Sequence, residues 1–333
     1  MLEITEIVKT NSGVDTLCGL SLSINDGGIY GILTVDDNAK NALAELICGC
    51  EDAENGQINI NGETMSRTAT ELKKKVRLVP QRLELDKSTT PVEYMDFVGQ
   101  ALSVDADRRY RQIKEALDLL AIEDIQNKPF SSLDSVSALR LSLAASLIGN
   151  PDVIVLNDPF GGIDAKSLDK VFETVAMLGK IKTLVLISKR VAHVKALCSD
   201  MAIICNGRVA LDGNISQIEA KINSTRELQI SVRGEYERIS SVIEGMNGIV
   251  SVKQISSDKN NVNVIRVEHK PDTKIKDRLF SALSEIGAPM LSFKQIELTL
   301  EDVFYSLTEK DRERIDEQSI EIESKSRKGG RRK

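Results

Sequence analysis

The feature that most constrains the fold is the alternation of short apolar, strand-like runs with longer amphipathic, helix-like stretches through residues 1–222. Five runs are the clearest strand candidates: Ile29–Leu33, Val76–Val79, Val153–Leu156, Thr183–Ser188 and Met201–Cys205. Strands that alternate with helices in this way are typical of an α/β domain built on a largely parallel sheet. We therefore predict one α/β domain over residues 1–222.

A helical insertion interrupts this alternation. Between residues 84 and 125 the strand-like runs stop and helical periodicity takes their place. Four apolar residues follow the spacing i, i+3, i+4 and i+7 of one helix face: Ile113, Ala116, Leu117 and Leu120. We predict a helical subdomain with its own packing face over about residues 84–150.

A change in composition near residues 223–226 marks a second domain, predicted over residues 226–308. Its predicted elements are, in order, strand Leu228–Val232, helix Tyr236–Met246, strands Ile249–Ile255 and Val262–Val267, helix Lys274–Ile286 and strand Met290–Ile296. The order βαββαβ is typical of a ferredoxin-like domain. Because the strands alternate apolar and polar residues, one sheet face is expected to be exposed or covered by a partner. Residues 309–333 are charged and poor in apolar residues, which predicts a disordered tail.

The composition limits the class of protein. Hydrophobic residues make up 41% of the 333 residues and charged residues 28%, which is typical of a soluble globular protein. No apolar run approaches the roughly 18 residues of a membrane-spanning helix, and the first residues lack the pattern of a signal peptide. We therefore expect a cytoplasmic protein. The five cysteines lie in apolar stretches without metal-ligand spacing, so we expect reduced thiols and no structural metal.

The charge is distributed unevenly along the chain. The formal net charge is −6, but the last nine residues alone carry six positive charges, so the preceding residues are more acidic than the total indicates. An acidic body of this kind argues against nucleic acid as the main partner. The basic end is either a solvated segment or a contact with an anionic membrane surface or a protein partner.

Several separated segments together resemble the nucleotide-binding subunit of an ABC transporter, of the exporter type with a small C-terminal domain. The segments are Gly19–Ile24, Tyr30–Leu33, Gly56–Gly62, Leu78–Gln81, Leu147–Pro151, Asp158–Pro159, Gly162–Asp164, Ile203–Ile204, Gly207–Arg208 and Leu298–Phe304. The resemblance lies in their order and spacing over roughly 300 residues. It implies an α/β P-loop NTPase-like ABC ATPase domain with a helical subdomain, which uses ATP and Mg²⁺.

The residues at the phosphate-loop positions depart from the family pattern GxxxxGK[ST], in which glycines let backbone N–H groups turn toward the phosphates. The resemblance assigns the ATP contacts to Thr34, Asp37, Asn38, Ala39, Lys40, Asn41 and Gln81. Lys40 keeps the phosphate-facing charge. Thr34 and Ala39 replace the two glycines, at an expected cost of about 1–2 kcal/mol each if left-handed geometry is needed there.

Two carboxylates also lie where the phosphates are expected to pass. Asp36 and Asp37 either repel the nucleotide or simply form a turn, and both interpretations leave a loop unsuited to phosphates. Two like charges 4 Å apart cost roughly 1–4 kcal/mol at dielectric constants between those of water and a protein surface.

The implied magnesium and catalytic positions are altered as well. The magnesium positions are Asn41, which replaces a hydroxyl, Gln81, and Asn157, which replaces an aspartate. Asp158 is the candidate general base, although it is one methylene shorter than the family's glutamate. Lys189 lies at the position of the family's switch histidine. Weak or absent ATP and Mg²⁺ binding is therefore expected.

The segment that in this family donates N–H groups to a partner subunit's nucleotide falls on Asp134, Ser135 and Val136. Asp134 is predicted to cap the following helix and so to satisfy those N–H groups internally. Asp164 is either a second helix cap or a contact across the subunit dimer.

Three functions fit these observations. The first is a degenerate subunit, peripheral on the inner face of the cell membrane, that docks on a membrane permease or an active ATPase with weak or no hydrolysis. The second is a working ATPase subunit of an exporter that uses substituted residues. The third is an interaction protein outside transport. The resemblance implies a homodimer or a heterodimer with an intact ABC ATPase.

Overall fold

The computed structural model describes residues 1–11, 13–222, 226–258, 261–270, 274–296, 299–309, 311 and 313. The chain divides into two compact units, one formed by Met1–Ile215 with Leu307–Lys333 and one by Ser216–Ser306. No helix in the described ranges is long and apolar enough to cross a membrane.

The first unit contains ten strands and seven helices of four or more residues within its described part. The strands are β1 (Leu2–Asn11), β2 (Val14–Ile24), β3 (Ile29–Leu33), β4 (Asn55–Ile60), β5 (Glu63–Thr64), β6 (Val76–Val79), β7 (Val153–Asn157), β8 (Thr183–Ser188), β9 (Asp200–Cys205) and β10 (Arg208–Asn214). The helices are α1 (Asp37–Ile47), α2 (Thr70–Lys73), α3 (Pro91–Ala101), α4 (Ala106–Leu119), α5 (Ser135–Leu147), α6 (Ala165–Gly179) and α7 (Val191–Leu197). The five predicted strands are confirmed, with two ends shifted by one residue.

Two sheets organise this unit. The larger has the order β10-β9-β3-β8-β7-β6, in which β10 is antiparallel to β9 and the other neighbours are parallel. The smaller is antiparallel, with the order β2-β1-β4-β5. Every residue of β7 and β8 is buried, as expected for central strands of a sheet covered on both faces. The prediction of a largely parallel sheet is therefore confirmed.

The carboxyl ends of four parallel strands lie at one edge of the larger sheet. The register pairs Leu33 of β3 with Ser188 of β8, and Asn157 of β7 with Ile187 of β8. The segment after β6 reaches the same edge, because Val79 pairs with Leu156. Open α/β sheets bind ligands at this edge, so the loops that follow these strands define where a site is expected.

Helices α3, α4 and α5 fill the predicted helical insertion and pack against one another. Helix α3 begins with a capping box, because the Thr90 side chain accepts from the Glu93 N–H while the Glu93 carboxylate accepts from the Thr90 N–H. The predicted packing face of α4 is buried, with its four residues between 1% and 7% exposed: Ile113, Ala116, Leu117 and Leu120. The apolar spacing therefore identified the core side of this helix correctly.

The second unit contains the elements α8 (Ile215–Ile222, which begins one residue earlier), β11 (Arg226–Arg233), α9 (Tyr236–Glu244), β12 (Ile249–Ser257), β13 (Val262–His269), α10 (Ile275–Glu285) and β14 (Met290–Ile296). Its antiparallel sheet has the order β12-β13-β11-β14, the arrangement of a ferredoxin-like domain. Apolar residues of β11 and β13 pack against α9 and α10, including Ile230, Ile265, Ile239 and Leu279. Alternate residues of these strands point to a more exposed, polar face.

The chain returns to the first unit after residue 306, and residues 300–309 are helical. The Asp311 side chain is fully buried and its two carboxylate oxygens accept from the Asn206 N–H at 3.0 and 2.8 Å. Asp311 lies inside the segment that was predicted to be a disordered tail, and these hydrogen bonds join it to Asn206 after β9. Residues 314–333 of the predicted tail lie outside the described residues.

Candidate nucleotide-binding site

The start of α1 is closed by a carboxylate of the chain itself. The Asp36 side chain is only 7% exposed and accepts from the backbone N–H groups of Asn38 at 2.8 Å and Ala39 at 3.4 Å. The Lys40 N–H donates to the Asp36 carbonyl at 3.0 Å, which is the first hydrogen bond of the helix. Free N–H groups at a helix start are what binds a phosphate. Here Asp36 already satisfies two of them.

The backbone strain expected at the two replaced glycine positions is not present. Neither Thr34 nor Ala39 has a positive φ, so the Cβ atoms cause no left-handed strain there. Ala39 is buried within the first turn of α1, and the Thr34 hydroxyl accepts from the Asp36 N–H at 3.3 Å. The condition for that cost, left-handed geometry, is not met, because the chain enters α1 directly after the Asp36 cap.

Lys40, the residue expected to face phosphate, is directed at protein oxygens. Its side chain is 0% exposed. The ammonium nitrogen lies 3.1 Å from Asp37 Oδ1, 3.2 Å from Gln81 Oε1 and 3.8 Å from Asp158 Oδ2. Burial of an ammonium group requires such partners, because the charge loses its hydration. The structure therefore brings together three of the predicted site residues around Lys40 and satisfies its charge internally.

Asp37 joins Lys40 to Lys189. Its second carboxylate oxygen lies 2.5 Å from the Lys189 ammonium. Although partial burial raises the pKa of the Asp37 carboxyl, hydrogen bonds from Lys189 and Lys40 outweigh this effect and hold the pKa below its ordinary value. The predicted switch position is therefore occupied by a cation that is paired with a carboxylate of the phosphate loop.

Asp158, the candidate general base, is engaged on both oxygens. Oδ1 accepts from the Ser188 hydroxyl at 3.1 Å and Oδ2 faces Lys40. The residue has φ of 48°, an uncommon conformation outside glycine, and its N–H donates to the Ile187 carbonyl at 2.8 Å. These contacts hold the carboxylate against the sheet.

Behind Asp158 lies a polar group, Ser188 with His193, that no sequence motif indicated. The Ser188 hydroxyl also lies 3.4 Å from His193 Nδ1 and accepts from the Arg190 N–H at 3.1 Å. His193 is buried edge-on against the rings of Phe160 and Phe172. Burial, assisted by the nearby positive charge of Arg190, lowers the pKa of His193 despite the opposing effect of Asp158. The only sequence signal was a histidine four residues after the switch position.

The predicted magnesium positions are occupied by three neutral amides that bind protein groups. Asn157 Nδ2 donates to Asn41 Oδ1 at 3.0 Å, and Gln81 Oε1 accepts from Lys40. Asn157 is 8% exposed and its Oδ1 has no hydrogen-bond partner. Mg²⁺ is normally held by carboxylates and phosphates in octahedral geometry. This donor set does not fit Mg²⁺, and no cluster of metal-ligating side chains occurs elsewhere in the described residues.

The start of α5 shows the predicted cap at Asp134. Asp134 accepts from the Ser137 N–H at 2.7 Å, and Ser135 and Val136 form the first turn. The backbone hydrogen bond from Ser137 lowers the pKa of the exposed Asp134 carboxyl. The predicted N-cap is confirmed.

A cleft of about 1140 Å³ adjoins the start of α5. Its lining includes Gln81, Arg82, Leu83, Glu84, Lys87, Phe130, Leu133, Asp134, Ser135 and Leu139. The cleft thus runs from the segment after β6 to the first turn of α5.

Asp164 caps α6 in the same manner. Its Oδ1 accepts from the N–H groups of Lys166 at 3.0 Å and Ser167 at 3.1 Å, and Oδ2 accepts from the Ser167 hydroxyl at 2.7 Å. Of the two roles considered for Asp164, the structure supports the cap. A contact across a dimer stays a prediction.

The parallel sheet, the loop and helix after β3 and the helical insertion are the arrangement of an α/β P-loop NTPase-like fold. Residues 17–161 match the family model for ABC transporters. The chain is 22% identical over 315 residues to the linearmycin resistance ATP-binding protein LnrL of Bacillus subtilis, covering 92% of this chain and 98% of that protein. It is 23% identical over 312 residues to the daunorubicin/doxorubicin resistance ATP-binding protein DrrA of Streptomyces peucetius, covering 92% of each.

Among solved structures, cbiO1 from Clostridium perfringens, part of the ABC transporter complex cbiONQ, is similar with a TM-score of 0.59 and 21% identity. The match covers 67% of this chain and 94% of cbiO1. The first unit is therefore an ABC transporter ATP-binding domain. Domains of this family generally bind ATP with Mg²⁺.

Proposed function

We propose that this chain is an exporter-type ABC transporter subunit that hydrolyses ATP weakly or not at all and serves by docking. Its partner would be a membrane permease on the inner face of the cell membrane, or an active ATPase subunit. The observation that carries this proposal is the internal pairing of the groups expected to bind phosphate. Lys40, Lys189 and two N–H groups of α1 all contact carboxylates of the chain itself.

Internal pairing makes nucleotide binding unfavourable for two reasons. A phosphate that approached Lys40 would first have to displace Asp37, and the displaced carboxylate would then repel it. At 4 Å each such repulsion is worth roughly 1–4 kcal/mol at dielectric constants between those of water and a protein surface. The Asp36 carboxylate cannot leave without exposing the two N–H groups that it caps.

The groups needed for hydrolysis support the same proposal. A catalytic Mg²⁺ would neutralise charge on the transferring phosphate and help to position it, but the amides of Asn41, Gln81 and Asn157 do not fit that ion. Both carboxylate oxygens of Asp158, the candidate base, already face a protein group, Lys40 or Ser188. Loss of one transition-state donor alone typically costs 10²–10³-fold in rate.

The cleft beside Gln81 supports a docking role. It combines apolar residues such as Leu83 and Leu133 with the charged side chains of Arg82, Glu84 and Lys87. Mixed apolar and charged lining is suitable for a polypeptide segment, since the apolar residues supply contact area and the charges set its orientation. A cytoplasmic segment of a permease is the partner proposed for this cleft.

A thermal-shift assay with ATP and Mg²⁺ tests the proposal. At a hundredfold excess over Kd a ligand stabilises by about 2.7 kcal/mol, and about 1 kcal/mol raises the melting temperature of a larger domain by roughly 2–4 °C. We expect ATP with Mg²⁺ to raise the melting temperature of this chain by less than about one degree. We also expect the chain to release phosphate from ATP no faster than a buffer blank. A shift of several degrees with ATP but none with AMP would contradict the proposal.

A comparison of two variants identifies which feature of the site limits ATP binding. Asp36→Asn with Asp37→Gly should tighten ATP binding more than Asn41→Ser does, because removal of repulsion acts on every phosphate. Titration calorimetry on both variants gives the ranking. The reverse ranking would show that metal ligation, and not the carboxylates, limits binding.

A working ATPase is the second candidate, and one observation favours it. Lys40 and Lys189 converge on the same carboxylate, so two cations are already placed where one anionic group would be held. A turnover near one per second that Lys40→Ala abolishes would establish this candidate in place of the first.

A further inference from the structure

We infer that Asp37 and Lys189 form a ligand-independent latch, in which a side-chain carboxylate does the linking that a bound phosphate would otherwise do. The latch joins the first turn of α1 to the segment after β8. This inference rests on the proposed function, because a free phosphate-binding loop would have no need of it. Its consequence is that this edge of the domain keeps one conformation whether or not nucleotide is present.

The first support is the geometry of the bridge. One carboxylate contacts two ammonium groups, Lys40 at 3.1 Å through Oδ1 and Lys189 at 2.5 Å through Oδ2. Lys40 and Asp37 belong to α1, whereas Lys189 follows the neighbouring strand β8 and is 152 residues away in sequence. An anion between two cations from different segments of the chain holds both segments in place. Charge-assisted hydrogen bonds of this kind are stronger than hydrogen bonds between neutral groups.

The second support is a parallel set of contacts beneath the bridge. Asp158 links Lys40 to the Ser188 hydroxyl, which in turn accepts from the Arg190 N–H. The Thr34 N–H also donates to the Ser188 carbonyl at 3.2 Å. Ser188, which precedes Lys189, is therefore held by Thr34 and Asp158, and Arg190, which follows Lys189, is held by Ser188. Asp37 completes this arrangement at the solvent side, where its side chain is 59% exposed.

A different role for Asp37 would be to neutralise Lys40 alone. The two roles predict different behaviour of the segment after β8. If Asp37 only neutralised Lys40, its loss would loosen α1 and leave residues 189–192 unchanged. If Asp37 is the latch, its loss releases Lys189 and loosens residues 189–192 as well.

Hydrogen–deuterium exchange on the full chain, with peptides covering 34–41 and 188–193, tests the latch. We expect Asp37→Ser and Lys189→Met each to speed exchange in both segments by about two- to fivefold, the range that exposed ion pairs give. Glu71→Gln is the matched control, since it removes an exposed carboxylate 2.7 Å from Lys74. It should leave both segments unchanged.

Rescue by a free anion gives the sharper result. Inorganic pyrophosphate should restore slow exchange in Asp37→Ser, where two cations and a vacated position remain. Pyrophosphate should not restore slow exchange in Lys189→Met, because that variant lacks one of the two cations. It should also leave the exchange of the wild type unchanged. Unchanged exchange in both variants would overturn the latch, and so would restoration in both. A wild type that binds ATP would contradict the proposed function, whereas a nucleotide-silent wild type with unaltered variants would contradict only the latch.

Discussion

Four helices of the ATP-binding domain have an aspartate N-cap, and two of them, α1 and α5, differ in what surrounds the cap. At α1, Asp36 is 7% exposed and lies beside a fully buried lysine, with Asp37 and Asp158 as further acids. At α5, Asp134 is exposed, accepts from the Ser137 N–H and lies at the edge of an open cleft. Both caps satisfy N–H groups at positions where the family resemblance predicts nucleotide contacts.

The cap at α1 is therefore part of the buried core, whereas the cap at α5 lies on the surface. At α1 the buried Asp36 caps the helix beside the buried Lys40, so a change there acts inside the core. At α5 the carboxylate is hydrated, and its removal affects one helix end. We therefore expect variants at α1 to alter stability strongly and variants at α5 to alter it little.

Lys40→Met should give the largest effect. Removal of the Lys40 ammonium leaves the partly buried Asp158 carboxylate without its cation, while the exposed Asp37 keeps Lys189, so we expect a loss of about 1–3 kcal/mol. The exposed Lys74→Met is the control, expected within about 0.5 kcal/mol of wild type because it lies on the surface. Urea unfolding measures both. A loss below about 1 kcal/mol for Lys40→Met would mean that Lys40 is not part of the core network.

The two caps should differ when each is replaced by alanine. Loss of an N-cap side chain costs about 0.5–2 kcal/mol, and we expect Asp36→Ala at the upper end and Asp134→Ala at the lower end. The reason is that the N–H groups freed by Asp36→Ala are in the buried site, whereas water replaces Asp134. Chemical unfolding of the two variants in parallel measures both losses of stability. Equal losses would contradict the expected difference between the two caps.

The pH dependence should also distinguish the two regions. Burial lowers the pKa of His193 from 6.5, so the unfolded chain binds more protons just below that value and stability falls as the pH drops through it. The depressed pKa of Asp134 acts only below its ordinary value of 3.8, since its stabilisation is complete above that pH and is lost below it.

Thermal melts between pH 7.5 and 5 test this. We expect His193→Phe, which keeps an aromatic ring against Phe160, to flatten the decline seen in the wild type. Asp134→Ala should shift the melts without changing their slope. A decline that is identical in His193→Phe and the wild type would assign it to other groups.

Asn157→Leu should give the smallest effect. Its buried Oδ1 has no partner, and an unsatisfied buried polar atom costs about 1–3 kcal/mol. Leucine removes that cost and leaves the exposed Asn41 amide to water, so stability should stay within about 0.5 kcal/mol of wild type or rise. A clear destabilisation would show that a water molecule or ion normally satisfies Oδ1.

Much of the framework was predictable, because apolar burial and helix capping leave local signals. The strands Ile29–Leu33 and Thr183–Ser188 were located to the residue, and the cap at Asp134 was identified from residue type and position. The strain that Thr34 and Ala39 would cause in left-handed geometry does not arise, because neither residue has a positive φ. The chain instead enters α1 at once.

The sequence by itself determined the alternation of strands and helices, and with it the edge of the sheet where the altered residues gather. It also showed that acids and amides replace the residues expected to bind phosphate and metal. Only the tertiary structure decided which of these groups meet. Asp37 pairs with Lys189 across 152 residues, and Asn41 with Asn157 across 116. Such pairs depend on how loops from neighbouring strands approach one another, a distance that local periodicity does not record.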